Sequence, residues 1–213
     1  MQGLFSYIRV MKISYAVTVC NELKEISRLL PFLLENKKRE DEIVILYDSK
    51  GGSTEVRNLL SRLAGFKLSC YEFDGHFANF KNHLTSLCTG DYIVNIDADE
   101  LPTTFFMEWI GTVLQTNDVD ILGVPRINTV EGLTEEHIKQ WGWNVNEKGW
   151  VNWPDTQQRV YRNTDSIKWA GKVHETLQGY DTYTSLPVAE EWAFLHDKEI
   201  ERQEKQNAYY STL

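Results

Sequence analysis

The chain has 213 residues, 42% hydrophobic and 25% charged, the composition of an ordinary globular protein with material for one sizeable core but not for two full domains. A formal net charge of -9 excludes broad adhesion to nucleic acid or anionic lipid, so an anionic ligand would need a metal or a few well-placed cations.

The N-terminal "MQGLFSYIRVMKISYAVTVC" is broken by Arg9 and Lys12 and offers no small-residue cleavage site. With no apolar run near the ~18 residues of a membrane span, the expectation is a soluble, unexported protein. "KISYAVTVC" alternates and is rich in β-branched residues, which predicts a strand. "NELKEISRLLPFLLENKK" then sets Leu23, Ile26, Leu29, Leu30, Leu33 and Leu34 at helical spacing, with Asn21 as N-cap and Pro31 as a kink. "DEIVILYD" is a second strand and "SKGG" a turn. "STEVRNLLSRLAG" is a helix with Ser53 as cap, Val56, Leu59, Leu60 and Leu63 inward, and Gly65 as terminator. "FKLSCYEF" makes a third strand, and "HFANFKNHLTSLCTG" a helix ended by Gly90. "DYIVNID" is apolar enough to be buried on both faces, and "TTFFMEWIGTVLQ" and "VDILGVPR" add a helix and a strand. This alternation predicts a mostly parallel, Rossmann-like sheet flanked by helices. After Arg126 a Trp- and Gly-rich stretch, "WGWNVNEKGWVNWPD", leads to the short strand candidates "QQRVYR" and "VAEEWAFLH" and the polar terminal helix "DKEIERQEKQNAYYSTL". We expect one domain over 1–213, with a ligand-binding part at 10–125 and a short mixed C-terminal part at 126–213. Cys20, Cys70 and Cys88 are odd in number and widely spaced, which speaks against a disulfide framework or zinc site and for a reducing cytoplasm.

In an open parallel sheet ligands collect beyond the carboxyl ends of the strands, where Asn21 and Glu22, Asp48, and Asp97 with Asp99 all stand. "NIDADELP" carries three carboxylates in four positions. Two such charges about 5 Å apart repel by roughly 3 kcal/mol at an effective dielectric of 20, so the cluster calls for a cation. An extended chain through "DAD" would point Asp97 and Asp99 to one face, about 6.5 to 7 Å apart, within reach of one cation and its ligand. Glu100 would point the other way and hold the next turn. A solvated acidic turn capping a helix is the bland alternative. There is no G-x-G-x-x-G after the first strand, "GGSTE" lacks the lysine of a P-loop, and "HETLQ" lacks the second histidine of a zinc protease.

"VTVCNE", "EIVILYDSKGGST" and "NFKNHLTSLCTGDYIVNIDADE", followed by "QRVYRN" and "WAGKVHETL", resemble in order the motifs of family 2 glycosyltransferases with the GT-A fold. Lys81 departs from the arginine that many members carry, which keeps charge and loses bidentate geometry. The resemblance implies a GT-A type α/β fold and a nucleotide-diphosphate sugar, UDP-linked, lying across the strand ends. It implies further that Thr18, Cys20 and Glu22 line the base and ribose pocket and that Asp48 accepts a hydrogen bond from the base. Lys81 would sit near the diphosphate, Asp97 and the small Ala98 near the ribose and metal, and Asp99 on Mn²⁺ or Mg²⁺, with His196 as a third metal ligand from the C-terminal region. Inverting transfer needs a base on the acceptor side. Glu175 is the candidate, with His174 orienting it or contacting phosphate.

Arg159 and Arg162 can face different sides of a strand, so at most one need meet ligand. Trp141, Trp143, Trp150 and Trp153 offer rigid faces for sugar rings, with half expected to pack in the core. The acceptor would be a glycan, lipid-linked or protein hydroxyl. Acceptor elements of larger members would be absent or supplied by another subunit, as in a homo-oligomer. Two rival readings are a phosphohydrolase using Asp97 and Asp99, and a non-catalytic nucleotide-sugar or glycan binding module.

Overall fold

The computed structural model describes residues 11–210, with side chains through 208; the readings of 1–10 and 211–213 lie outside the described residues. In chain order the elements are β1 (Ile13–Val19), α1 (Leu23–Asn36), β2 (Glu42–Asp48), α2 (Thr54–Arg62), β3 (Lys67–Tyr71), α3 (Phe77–Leu87), β4 (Tyr92–Asp97), β5 (Glu100–Pro102), α4 (Thr104–Thr116) and β6 (Ile121–Glu131). There follow α5 (Glu135–Trp141), β7 (Val151–Arg162), β8 (Lys168–Ala170), β9 (Thr176–Gln178), β10 (Tyr183–Ser185), β11 (Phe194–Glu199) and α6 (Ile200–Tyr210).

The main sheet runs β3-β2-β1-β4-β7-β6-β11-β5, with β10 beside β6. Its first four strands are parallel, as are β6 with β10 and β11, while β7 is antiparallel to β4 and β6, and β5 to β11. This is the mixed, mostly parallel sheet expected. The chain winds outward from β1 through β2 to β3 and then returns to lay β4 on the other side of β1. That reversal opens a crevice at the carboxyl ends of β1 and β4, where Thr18 and Asp97 are register partners.

Both faces of β1, β2 and β4 are dry, which is why β2 and β4 read as apolar runs, while the edge strand β3 is largely exposed. On one face Tyr15, Val17, Ile43, Ile45, Val94 and Ile96 pack with Ile26, Leu30 and Leu33 of α1, Val56 and Leu60 of α2, and Phe106 and Ile110 of α4. On the other, Ala16, Val44, Leu46 and Ile93 meet Ala78, Phe80 and Leu84 of α3, with Trp169 and Leu177 of the β8–β9 hairpin.

Helix ends show most of the local differences. Ser53 caps α2 as predicted, its hydroxyl accepting from the Val56 amide at 3.3 Å. Asn21 does not cap α1; the cap position is Glu22, whose carboxylate turns back to accept from the Cys20 amide at 2.7 Å and the Asn21 amide at 3.1 Å. The helix begins later, so Leu23 is exposed, as is Leu63 beyond the end of α2. Gly65 and Gly90 terminate no helix, since α2 ends at Arg62 and α3 at Leu87. Gly90 instead lies where a Cβ would meet the Ser14 backbone nitrogen at 2.7 Å. Pro31 is accommodated inside α1.

After residue 126 the differences are larger. "QQRVYR" is only the end of the 12-residue β7, because the long antiparallel partner β6 holds polar and proline positions in the ladder against their weak strand preference. "VAEEWAFLH" is a single 3₁₀ turn at Glu190–Trp192 followed by β11, which continues to Glu199 and delays α6 to Ile200. None of the four tryptophans at 141, 143, 150 and 153 packs in the core; Trp141 rests on Trp143 and Trp150 on Trp153, with centroids 4.7 and 5.0 Å apart.

Candidate active site

The crevice is one cleft of about 1460 Å³ running from the ends of β1 and β2 across β4 to β7, β11 and α6. At its β2 end, Asp48 Oδ1 accepts from the amides of Lys50 (2.9 Å) and Phe73 (3.2 Å), and the Cys20 thiol approaches Oδ2 at 3.6 Å. The turn below needs glycine: a Cβ at Gly52 would stand 2.2 Å from the Asp48 carbonyl oxygen and 2.3 Å from the Tyr47 ring. Burial, with the nearby Glu22 and Asp48 carboxylates, pushes the Cys20 thiol up to about 12. Burial also raises Glu22, against the pull of the Cys20 amide and the Arg202 charge.

In the middle, the chain does not stay extended through "DAD": Ala98 and Asp99 form a turn between β4 and β5. Asp97 and Asp99 are therefore aimed separately. Asp97 Oδ1 accepts from the Thr18 hydroxyl at 3.0 Å and faces Lys81 Nζ at 3.4 Å, while Oδ2 takes Arg159 at 2.8 Å. Burial disfavours its charge, but Arg159 and Lys81 outweigh this and hold the carboxyl well below the usual range. Glu100, expected to point away, turns inward. Fully buried, it accepts the Asp97 amide at 3.2 Å and pairs with Arg159 and, at 3.0 Å, with Arg126. The third carboxylate is thus neutralised by two guanidiniums rather than by an ion.

Asp99 Oδ2 faces His196 Nε2 at 3.5 Å and Arg202 at 3.4 Å. It too is held low, because its hydrogen bond with His196 and the neighbouring positive charge exceed the cost of burial. The His196 ring is oriented from behind. Asn128 Nδ2 donates to Asp155 Oδ2 at 2.8 Å, so Asn128 Oδ1 is the atom that meets His196 Nδ1 at 2.7 Å. Nδ1 therefore carries a hydrogen, which leaves Nε2, the nitrogen whose hydrogen faces Asp99 here, as the one a metal ion would take in place of that proton. Carboxylate and imidazole side by side fit Mn²⁺ or Mg²⁺, with the remaining positions left to ligand oxygens and water. Among the described residues no three His, Cys, Asp or Glu side chains stand together as a metal cluster, and both oxygens of Asp97 are committed to protein partners.

Toward β9, Glu175 Oε1 stands 2.7 Å from Lys81 Nζ, and the ammonium also lies 4.8 Å from the centre of the Trp169 ring. Lys81 is buried and joins the two ends of the site. His174 holds a left-handed backbone, φ 53°, in the loop just before.

All the carried-over residues meet in this cleft: Thr18, Cys20, Glu22, Asp48, Lys81, Asp97, Ala98, Asp99, His174, Glu175 and His196 line it, as does Arg159. Arg162 and Trp153 do not. Arg162 points off the sheet to Asp118 and, at 3.2 Å, to Asp120, while Trp153 leans on Trp150; of the four tryptophans at 141, 143, 150 and 153 the one that reaches the cleft is Trp143. Sequence reasoning missed Arg126, Asn128, Asp155 and Arg202. The first three sit on β6 and β7, whose pairing had no local signal, and Arg202 looked like one more charge on a polar helix.

A nucleotide-type crevice at the β1/β4 reversal, with a carboxylate-rich turn and a facing histidine, defines a GT-A type α/β protein. The chain belongs to glycosyl transferase family 2, whose profile matches residues 14–176. Among solved structures, residues 1–349 of S. aureus TarS superpose with a TM-score of 0.61 at 15% identity, covering 88% of this chain and 60% of that one. The same TarS segment in complex with UDP-GlcNAc gives 0.62 at 14% identity, covering 88% and 59%, and in complex with UDP 0.63 at 14%, covering 88% and 60%. This chain thus spans about 60% of the length of the TarS segment. No curated protein sequence matches the chain. Among the described residues no helix is long and apolar enough to cross a membrane.

Proposed function

We propose that the protein is a metal-dependent, inverting glycosyltransferase that moves a sugar from a nucleotide-diphosphate sugar, UDP-linked, to a hydroxyl of a glycan, lipid-linked or protein acceptor in the cytoplasm, and that residues 1–213 belong to one domain. The observation that carries this reading is the convergence in one cleft of Asp48, Asp97, Asp99, His196 and Glu175 around the β1/β4 reversal. The TarS complexes with UDP and UDP-GlcNAc support the choice of donor.

In this reading the Asp48 carboxylate, fixed by two amides, receives an N–H of the base, and Thr18 with Asp97 positions the ribose. Asp99 and His196 would hold the divalent ion, which when bound supplies positive charge to stabilise the departing diphosphate. Glu175 takes the acceptor proton as the anomeric carbon is attacked, and Lys81 at 2.7 Å orients it. The phosphohydrolase reading needs Asp97 as a free nucleophile, whereas both its oxygens engage Thr18, Lys81 or Arg159.

The test is thermal stabilisation and calorimetric binding of nucleotide sugars with and without Mn²⁺, followed by transfer assays. A metal-dependent UDP response is expected. Glu175→Gln should keep donor affinity while losing turnover by about a thousandfold; unchanged turnover would remove Glu175 as base. A wild-type protein that binds UDP-sugars and transfers to no acceptor would instead be a binding module.

A further inference from the structure

The C-terminal wall of the cleft is cationic, with Lys198, Arg202 and Lys205 lining it from β11 and α6. Arg202 is the one tied to the floor. Its NH1 donates to Glu25 Oε1 of α1 at 2.8 Å, while NH2 donates to Glu22 Oε1 at 3.1 Å and lies 3.4 Å from Asp99 Oδ2. One guanidinium thereby bridges the C-terminal helix to the turn that carries the Asp-x-Asp motif, across 103 residues of sequence from Asp99.

Four features bear on the contact to Asp99. Asp99 Oδ2 is the same atom that His196 Nε2 faces at 3.5 Å, so a dication drawn to that oxygen and the guanidinium repel each other at close range. Glu22 would not be stranded if NH2 turned away, because its other oxygen already accepts the Cys20 and Asn21 amides. The shortest of the three contacts is to Glu25 of α1, and it serves as a pivot. About a third of the Arg202 side chain is exposed, on the cleft side.

We propose that Arg202 is a donor-binding residue with two stations. Without ligand it is the counter-ion of Asp99; when a divalent ion takes Asp99, the guanidinium swings about its Glu25 anchor and pairs with the diphosphate of the nucleotide, a group its planar fork fits. This rests on the glycosyltransferase reading and adds a second cation to the donor site. It also gives α6 a task, since a bound diphosphate would then draw the helix onto the cleft.

The experiment uses the full chain, with Mn²⁺ binding followed by electron paramagnetic resonance of the free ion, and UDP and UMP binding by calorimetry at saturating Mn²⁺. Arg202→Gln should bind Mn²⁺ alone about fivefold more tightly than wild type, since its competitor is gone. The same variant should bind UDP about tenfold more weakly and UMP nearly as wild type, since only UDP offers the outer phosphate. A structural role alone would not raise metal affinity. Mn²⁺ affinity unchanged or lowered, or equal losses for UDP and UMP, would overturn the proposal. Should melting show that Arg202→Gln is unfolded, Arg202→Lys decides: at least about a threefold loss for UDP over UMP is expected from the lost fork, and equal affinities overturn it. A wild-type protein with no metal-dependent UDP binding would fail differently, removing the donor reading itself.

Discussion

Lys81 stands 2.7 Å from Glu175 and 3.4 Å from Asp97, one buried ammonium between the candidate base and the candidate donor-site carboxylate. The three residues come from α3, the loop entering β9 and the end of β4, so the pairing fixes the β8–β9 hairpin over the sheet as well as the site. Lys81→Met leaves two carboxylates without their shared partner beside the Trp169 ring. Removing one member of a buried pair costs about 3 kcal/mol or more, and turnover should fall at least about a hundredfold as the base loses its orientation. Urea unfolding and initial rates of transfer check both. A variant with wild-type midpoint and rate would mean that Lys81 organises nothing.

Arg159 repeats this logic deeper in the sheet. Its NH2 meets both Asp97 and Glu100, and Glu100 has Arg126 as a second partner. Because the two carboxylates share one donor, their contributions should not add. Arg159→Met and Glu100→Gln, singly and together, should show a coupling energy of about 1 to 3 kcal/mol in unfolding experiments. The single arginine change is the more severe, since it takes one cationic partner from Asp97 and one from Glu100 at once, leaving each a single partner, while Glu100→Gln leaves Asp97 both of its cationic partners. Strict additivity would show that the carboxylates do not depend on a common guanidinium.

These residues also mark what could be read from the chain. The parallel half was legible because β1, β2 and β4 are apolar on both faces and α1 to α4 bury clean stripes, so local pattern and tertiary packing agree. Asp48 and Asp97 were legible for the same reason, each at the end of a strand whose identity was plain, whereas Thr18 and Lys81, the latter in the middle of α3, were carried by the resemblance to the family's motifs. Arg126 and Asp155 were not, because β6 and β7 are held by each other and their polar residues break the alternation. The fate of Glu100 was misread because a turn at Ala98–Asp99 shifts its direction, and one residue of register reverses a side chain in a strand. Arg202 depends on how α6 folds back onto α1, a contact of very long range that no window of sequence contains.

Acid should weaken the fold, and the sign follows from the carboxylates. Asp97 and Asp99 are held below the unfolded value near 3.9 by their cationic neighbours, which overcome burial. Lowered carboxyls contribute stability that is complete above the unfolded value and is lost as pH falls through the folded one. Glu22, raised by burial, acts in the opposite sense, its folded state favouring the proton as pH drops toward 4. Glu42, Asp74, Asp120 and Asp155 are lowered as well and Asp41 is raised, so lowered carboxyls outnumber raised ones and unfolding free energy should fall below about pH 4. Asp99→Asn should make that acid limb shallower by up to about 1.4 kcal/mol per pH unit, the slope of one proton. Denaturant unfolding from pH 2 to 7 measures it; an unchanged limb would show that Asp99 is not a depressed carboxyl.

The three cysteines are free thiols in three environments: Cys70 exposed on β3, Cys88 buried behind α3, and Cys20 on the cleft wall. Accessibility alone would make Cys20 second in reactivity and a convenient label for the cleft. Its electrostatics argue otherwise. Burial and the flanking Glu22 and Asp48 push the thiol up to about 12, which lowers the thiolate fraction at pH 8 by roughly three orders of magnitude against an ordinary cysteine. The stronger base returns about one and a half of these orders in nucleophilicity, leaving a net slowing of roughly thirtyfold. Peptide mass spectrometry after iodoacetamide at pH 8 should therefore find Cys70 modified first, with Cys20 closer in rate to Cys88. Asp48→Asn should speed Cys20 several-fold by removing one of the negative charges that oppose its ionisation. Rapid labelling of Cys20 in the unmutated protein, at the pace of Cys70, would mean that the carboxylates do not surround the thiol as the cleft arranges them.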